Sequence, residues 1–163
     1  MRIGVLSDTH GYADPQLSDV FSGVARILHA GDIGSLAVLD ALAHIAPVTA
    51  VWGNVDGAPI RHRTEEAAWL ECDGVSIWMT HIAGHPGRWQ RGMGRRLRDK
   101  RPNLFICGHS HILRIERVKT LDNMLFLNPG AAGRQGLHTR RTCVRLDIAH
   151  GVVTSADVIH LDE

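Results

Sequence analysis

The stretch Ile3-Gly4-Val5-Leu6-Ser7-Asp8-Thr9-His10-Gly11 decides the predicted fold, because a short apolar run stops abruptly at polar residues and a glycine. A buried β-strand that runs out into a loop has this pattern. The pattern recurs twice: Arg26–Ala30 ends at Gly31-Asp32, and Val48–Trp52 ends at Gly53-Asn54. Apolar residues at helical spacing separate these runs, so the chain begins with alternating strands and helices. That alternation predicts an α/β fold with a parallel or mixed sheet.

The second half of the chain is richer in predicted strands. An Asp73-Gly74 turn joins two strands into a hairpin, and a buried strand, Leu104–Cys107, ends at Gly108-His109-Ser110-His111. The predicted helices are Leu17–Ala25, Leu36–Ala43 behind the candidate N-cap Ser35, and a basic segment, Trp89–Arg101. The other predicted strands are Ala68–Cys72, Val75–Thr80, Ile112–Lys119, Met124–Leu127, Thr142–Ile148 and Val152–His160. No linker-like composition interrupts the chain, so we expect one domain over residues 1–163, built as a two-sheet α/β sandwich flanked by helices.

The composition excludes several classes of protein. The 163 residues are 44% hydrophobic and 21% charged with a formal net charge of +1, so no global charge attracts nucleic acid or an anionic membrane. No apolar run approaches the roughly 20 residues of a transmembrane helix, and the first apolar run is too short for a signal peptide. Three widely spaced cysteines, Cys72, Cys107 and Cys143, argue against a disulfide framework and favour a reducing, cytoplasmic location.

Candidate metal ligands follow five of the predicted strands, where open α/β sheets bind their ligands. They are Asp8, His10, Asp32, Asn54, His81, His109 and His111. Oxygen and imidazole donors without a thiolate suit Mn²⁺, Fe, Zn²⁺, Ni²⁺ or Mg²⁺. Asp-x-His and His-x-His would place both ligands on one side of an extended backbone, where they could hold one ion together. Seven ligands are more than one tetrahedral ion can bind. We therefore expect two ions that share a bridging carboxylate, Asp32.

These motifs, in this order, resemble the calcineurin-like metallophosphoesterase superfamily. Ser7-Asp8-Thr9-His10, Gly31-Asp32, Gly53-Asn54, Thr80-His81 and Gly108-His109-Ser110-His111 carry the resemblance. The short chain and Asn128-Pro129-Gly130-Ala131 are similar to the small bacterial phosphodiesterase branch and to its relative, the small subunit of retromer. The resemblance implies an α/β/β/α sandwich and a metal-dependent phosphodiesterase with two divalent ions, Mn²⁺ first and Ni²⁺, Zn²⁺ or Fe as alternatives.

The resemblance also implies a role for each ligand. The first ion would be held by Asp8, His10, Asp32 and His111, and the second by Asp32, Asn54, His81 and His109. A hydroxide bridging the ions would attack phosphorus, so that no protein nucleophile is needed. The expected substrate is a small phosphodiester, with Asn54, His85 and Arg134 as candidate contacts and no nucleic acid. Small members of the family often associate, so a homo-oligomer is compatible with this interpretation.

The sequence departs from the wider family at Val55, where many members carry a histidine that helps to protonate the leaving group. Valine carries no proton, which disfavours a monoesterase, the third alternative that we consider. The first alternative is a non-catalytic protein-binding scaffold of the same fold, and the second is a nuclease, for which the chain lacks length and a basic stripe. Among the remaining histidines, His29 is a candidate support for the centre, whereas His44, His62, His138, His150 and His160 are expected at the surface.

Overall fold

Two five-stranded mixed sheets form the centre of the structure, a computed structural model in which residues 1–162 are described. The first sheet has the order β12-β11-β1-β2-β3, the second has the order β4-β5-β8-β10-β9, and β6 and β7 form a small separate hairpin. The strands are β1 Arg2–Leu6, β2 Arg26–His29, β3 Val48–Ala50, β4 Ala67–Cys72, β5 Val75–Thr80, β6 Gly84–His85, β7 Arg88–Trp89, β8 Leu104–Ile106, β9 Leu113–Val118, β10 Met124–Pro129, β11 Thr142–Ala149 and β12 Val152–His160. The helices are α1 Leu17–Val20, α2 Leu36–Ala43, α3 Ala58–Arg61 and α4 Met93–Lys100.

Three apolar layers hold the sheets and helices together. Side chains of both sheets, among them Val5 and Ile106, form the layer between the sheets. Alternation along β1 sends Leu6 to the opposite face, where it packs with residues of α1 and α2. On the outer face of the second sheet, Phe105 packs with Met93 and Leu97 of α4. The expected α/β/β/α sandwich is therefore confirmed.

Parallel pairing places the functional strand ends at the same edge of each sheet. The first sheet pairs β1 with β2 and β2 with β3 in parallel, so all three run out at one edge. The second sheet likewise pairs β5 with β8 in parallel. All five predicted metal-ligand motifs follow these strands, which brings them to the carboxyl ends where ligands bind.

Most predicted elements are present, with shifted ends. The Asp73-Gly74 turn joins β4 to β5 with both residues in the left-handed region, as a type I′ turn requires. Ser35 caps α2 by accepting a hydrogen bond from the backbone N–H of Ala37. The first helix is only Leu17–Val20 rather than Leu17–Ala25, and Gly23 beyond it is left-handed. The basic helix is likewise shorter than Trp89–Arg101, because Trp89 belongs to β7.

Two expectations from composition can be compared with the structure. Cys72, Cys107 and Cys143 are all buried, and none of the three is paired in a disulfide. Among residues 1–162, no helix combines the length and the apolar character that crossing a membrane would require.

Candidate metal centre

The loops after β1, β2, β5 and β8 are joined to one another by short hydrogen bonds. The Nδ1–H of His81 donates to the carbonyl of Ala30 at 2.7 Å, which ties the second sheet to the end of β2. The backbone N–H of Gly108 donates to the carbonyl of His81 at 3.0 Å. The backbone N–H of His109 donates to Asp8 Oδ2 at 3.1 Å. The two sheets therefore present their polar loops to a common centre.

The predicted ligands converge in two groups at this centre. Asp8, His10 and His111 form one group, and Asp32, His81 and His109 form the other; within each, the candidate ligand atoms lie within 4.8 Å of one another. Asn54 adjoins the second group, with its Oδ1 3.1 Å from His81 Nε2. Asp32 Oδ2 lies 3.2 Å from His81 Nε2 and 3.8 Å from His10 Nε2, so this carboxylate faces both groups.

The backbone reaches this arrangement through left-handed conformations. The residues concerned are Asp8, His10, Asp32, His109 and His111, with φ between 45° and 71°. Such conformations are uncommon outside glycine and cost of order 1 kcal/mol or more each, so the rest of the fold must hold them in place. The expectation that both His-x-His ligands share one side of an extended strand is wrong, because His109 and His111 fall in different groups.

A buried carboxylate oxygen indicates that the residues fit a cation. Asp8 is fully buried and its Oδ1 has no hydrogen-bond partner among the described residues. The nearest imidazole nitrogen, His111 Nε2, lies 3.2 Å away, and His10 Nε2 lies 3.9 Å away. An unpaired buried charge is costly, whereas a metal ion bound by the carboxylate and the two imidazoles would compensate it.

Two glycines make room for the carboxylates. A Cβ at Gly53 would overlap Oδ1 of Asp32, and a Cβ at Gly108 would lie 2.7 Å from Oδ2 of Asp8. A larger residue at Gly53 or Gly108 would fit only if the neighbouring carboxylate moved, and the backbone already fixes the position of that carboxylate. Gly53 lies close to Asp32 and Gly108 lies close to Asp8, which explains why glycine precedes a candidate ligand in both motifs.

Hydrogen bonds fix which ring nitrogen of two histidines faces the centre. Because His81 donates from Nδ1 to Ala30, its Nε2 is left to point at Asp32 and Asn54. His111 Nδ1 lies 3.0 Å from His138 Nδ1, and His138 Nε2 lies 2.9 Å from the carbonyl of Gly133. A carbonyl only accepts, so His138 donates from Nε2 and its Nδ1 accepts from His111. Metal-binding histidines are commonly oriented by a second hydrogen bond of this kind.

This contact corrects the expectation that His138 lies free at the surface. His138 is partly buried against His111, 27 residues earlier in the chain. No local motif marks His138, because the loop after β10 brings it to the centre only in the folded chain. The surface prediction for His138 is therefore wrong.

A second buried histidine supports the loop after β1. His29 Nδ1 accepts from the backbone N–H of Gly31 at 3.2 Å, and its Nε2 lies 2.9 Å from the hydroxyl of Thr9, between Asp8 and His10. The Thr9 hydroxyl in turn donates to the carbonyl of Ile33 at 2.9 Å. Burial lowers the pKa of His29 to about 4, so the imidazole stays neutral at physiological pH. His29 thus holds the loop rather than a carboxylate.

Asp56 connects two of the ligand loops. Its Oδ2 accepts from the backbone N–H of Ile33 at 3.1 Å and of Gly53 at 2.8 Å, and its Oδ1 accepts from Gly34 at 2.8 Å. The side chain is buried. Sequence reasoning missed this role, although an acidic residue two positions after Asn54 was the available signal.

The carboxylates shift the pKa values of neighbouring histidines. The Asp8 carboxylate, with its Oδ1 3.2 Å from Nε2 of His111, raises the pKa of His111 above its ordinary value, although burial opposes this shift. Burial lowers the pKa of His81, but its hydrogen bond to Asp32 and the nearby carboxylates outweigh burial and raise it overall. Burial raises the pKa of Asp32, yet the hydrogen bonds of His81 and of the Val55 backbone lower it overall. The centre therefore favours positive charge, as a divalent cation requires.

The two remaining candidate substrate contacts line different cavities. His85 is exposed and lines a cavity of about 190 Å³ together with His109. Arg134 is exposed, stacks over Tyr12 with its guanidinium carbon 3.9 Å from the ring centroid, and donates to the Tyr12 hydroxyl at 2.7 Å.

Val55 donates its backbone N–H to Asp32 Oδ1 at 3.1 Å, while the residue is 50% exposed.

A larger cavity opens from the second ligand group. Its volume is about 630 Å³, and Asn54 and His81 form part of its wall. Away from the centre it is lined by Trp52, Arg61, Arg91 and Arg96, the last of which lies on α4. A cavity of this size and position can accommodate part of a small organic ester.

Comparison with known proteins defines the class. A model of the calcineurin-like phosphoesterase superfamily domain matches residues 1–151. A probable metallophosphoesterase of Methanothermobacter thermautotrophicus is 33% identical over 143 residues, covering 80% of this chain and 77% of the relative. A phosphodiesterase of Methanocaldococcus jannaschii is 28% identical over 152 residues, covering 80% of this chain and 83% of that one. The chain belongs to the calcineurin-like phosphoesterase superfamily.

The fold has a counterpart among solved structures. Vps29 from Entamoeba histolytica, crystallised with Zn²⁺, superposes with a TM-score of 0.75 and 22% identity, covering 99% of both chains. This likeness shows a shared fold. It agrees with the two mixed sheets and flanking helices described above.

Proposed function

We propose that this chain is a phosphodiesterase with a dinuclear metal centre, working as a single domain over residues 1–163. The observation that carries the proposal is the buried, unpartnered Asp8 Oδ1 facing imidazole nitrogens, beside a second group that Asp32 connects to the first. Superfamily membership supports metal-dependent phosphoester hydrolysis in general. The M. jannaschii relative, which is named a phosphodiesterase, supports the diester.

The two ligand groups suggest how the ions would be divided. The first ion would be held by Asp8, His10, Asp32 and His111, and the second by Asp32, Asn54, His81 and His109. Asp32 is the proposed bridge because its Oδ2 faces a histidine of each group. Mixed carboxylate, amide and imidazole donors suit Mn²⁺, with Ni²⁺, Zn²⁺ or Fe as alternatives.

The chain positions a substrate around this centre. When bound, a pair of divalent ions supplies a hydroxide as nucleophile and neutralises charge on the phosphate oxygens. Asn54 stands at the junction between the second ligand group and the large cavity, so its amide is placed to contact a phosphate oxygen. His85 lines the smaller cavity beside His109 and is the proposed contact on that side. Arg134, held by Tyr12, lines a further cavity together with His138, which contacts His111 of the first group, and is the proposed contact on that side.

Val55 supports a diester over a monoester as substrate. The position that offers histidine in many relatives here carries an aliphatic side chain, which cannot donate a proton to the leaving group. The backbone N–H of Val55 is bonded to Asp32, so this residue supports the centre through its main chain alone. An activated diester with a good leaving group needs the least acid catalysis and should react fastest.

The competing candidate is a protein-binding scaffold that keeps the ligands without using them. The shared fold with Vps29 favours this alternative, but at 22% identity the comparison concerns the fold alone. A hydrolysis assay distinguishes the phosphodiesterase from the scaffold, because a scaffold does not need to turn over a substrate.

The test is hydrolysis of bis(p-nitrophenyl) phosphate and of p-nitrophenyl phosphate by purified protein in Mn²⁺. We expect the diester to be turned over faster, and Asp32→Asn to lose about 100-fold or more in rate together with bound metal. The control Asp40→Asn removes an exposed carboxylate that pairs with Arg63 and belongs to neither ligand group, so it should keep full activity. Near-normal turnover by Asp32→Asn, or no turnover by the wild type, would refute the proposal.

A further inference from the structure

The large cavity beside the second ligand group has a strongly basic wall. Three arginines line it, Arg61, Arg91 and Arg96, against one acidic residue, Glu66. None of the ion pairs found among residues 1–162 involves any of these arginines. Three cations without carboxylate partners around one cavity leave their charge available to a ligand.

Two of the arginines are held in place without losing their charge. The Arg61 guanidinium lies 3.9 Å from the ring centroid of Trp52, and its Nε donates to the carbonyl of Asp56 at 2.7 Å. The Arg96 guanidinium lies 4.8 Å from the ring centroid of Trp78. Stacking on an aromatic face orients a guanidinium while leaving donors along its edge free. Because Arg61 covers one face of Trp52, the wall offers charge at this point rather than an open aromatic platform.

The cavity adjoins the proposed position of the reacting phosphate. Asn54 and His81 belong to the second ligand group and also to the cavity wall. A diester bound at the ligand groups would therefore extend one of its two organic arms into the cavity. With about 630 Å³, the cavity is large enough for a sugar-sized arm and a further charged group.

We propose that this cavity is an anion subsite, and that the preferred substrate is a small phosphodiester with a second phosphate on one arm. The proposal rests on the phosphodiesterase function proposed above and names its substrate class. Arg91 and Arg96 are the residues that select the second phosphate, and Arg61 adds to the positive potential. A guanidinium suits this task because its planar donors match phosphate oxygens and its charge persists at every physiological pH.

A pair of chromogenic diesters isolates the contribution of the second phosphate. One is the p-nitrophenyl ester of thymidine 5′-phosphate, and the other carries an additional phosphate on the 3′-hydroxyl. Water cleaves the same phosphorus–oxygen bond and releases p-nitrophenolate from both, so leaving-group chemistry cancels in the comparison. For the wild type in Mn²⁺ we expect kcat/KM to be about tenfold higher for the 3′-phosphorylated ester, mainly through KM, as two partly exposed ion pairs imply.

Basic residues on the solvent side of α4 give a matched control. The double variant Arg91→Gln/Arg96→Gln should reduce the tenfold preference to about one, whereas Arg95→Gln/Arg98→Gln should keep it. Arg95 and Arg98 are exposed and are absent from the cavity wall, yet their removal changes net charge by the same amount. Equal kcat/KM for the two esters in the wild type would overturn the proposal. Equal loss of preference in both double variants would also overturn it, because the effect would then be general electrostatic attraction.

A binding measurement keeps this proposal separate from the phosphodiesterase function. Calorimetry on the Mn²⁺-loaded protein should show thymidine 3′,5′-bisphosphate binding about tenfold more tightly than thymidine 5′-monophosphate, with the difference lost in Arg91→Gln/Arg96→Gln. If this difference appears but no diester is hydrolysed, the subsite stands and the catalytic proposal fails. If diesters are hydrolysed without any such difference, the catalytic proposal stands and the subsite is wrong.

Discussion

Replacing Asp56 by asparagine should destabilise the fold by about 3 kcal/mol. The buried carboxylate accepts three backbone hydrogen bonds, from Ile33, Gly34 and Gly53, at 2.8–3.1 Å. Asparagine has the same shape but only one accepting oxygen, so it can keep the two bonds at Oδ2 while its NH₂ group faces the N–H of Gly34. The lost charge-assisted bond costs about 1.5–3 kcal/mol, and the two retained bonds weaken because their acceptor becomes neutral.

Thermal unfolding of the metal-free protein measures this effect without interference from bound ions. For a chain of this length, 3 kcal/mol corresponds to a fall in Tm of about 9 °C. The control Asp40→Asn removes an exposed carboxylate paired with Arg63 at 3.0 Å and should cost at most about 1 kcal/mol. If Asp56→Asn lowers Tm no more than Asp40→Asn does, Asp56 is not the connection between the loops that we describe.

Three further predictions concern residues around the centre. His138→Ala should weaken Mn²⁺ binding about 10- to 100-fold, whereas His138→Gln, which can both donate and accept a hydrogen bond, should largely retain the affinity. If calorimetry shows equal losses for the two variants, His138 does not orient His111. Folded His29 stays neutral down to its pKa of about 4 while the unfolded chain takes up a proton near pH 6.5, so stability falls as pH decreases. Between pH 7 and pH 5 the metal-free wild type should lose about 2 kcal/mol more than His29→Gln in urea unfolding, and parallel losses would exclude a buried neutral imidazole. Val55→His should raise activity on diesters with basic leaving groups more than on aryl diesters, by well below the ~10²–10⁴-fold of an optimised general acid. If the rates of both proteins depend equally on leaving-group pKa, position 55 does not face the leaving group.

The strands and the ligand motifs could be predicted because both are local in sequence. An apolar run followed by Gly-Asp or Gly-Asn marks a strand and its loop at once, as β2 with Asp32 and β3 with Asn54 show. Parallel pairing then brings such loops together, so the convergence follows from the fold class. The candidate ligand residues that the structure groups could therefore be named from the sequence, whereas the geometry of the two groups could not.

The supporting residues could not be predicted, because their partners are distant in sequence. His138 contacts a residue 27 positions away and Asp56 accepts from a loop 22–23 positions away, and neither sequence stretch has a periodic pattern. The split of His109 and His111 between two groups also depends on backbone conformation, since both residues are left-handed where a strand was assumed. The predicted start of the basic helix at Trp89 was also wrong because of contacts between residues distant in sequence. Trp89 packs against Phe105 and Phe126 on the second sheet instead of beginning α4.

The proposal of a phosphodiesterase with a dinuclear metal centre is tested most directly by titrating metal-free protein with Mn²⁺ while measuring the initial rate of bis(p-nitrophenyl) phosphate hydrolysis. With Asp32 facing both ligand groups, the rate should rise until about two ions are bound per chain and then remain constant. A plateau at one ion per chain, or no hydrolysis at saturating Mn²⁺, would contradict the account.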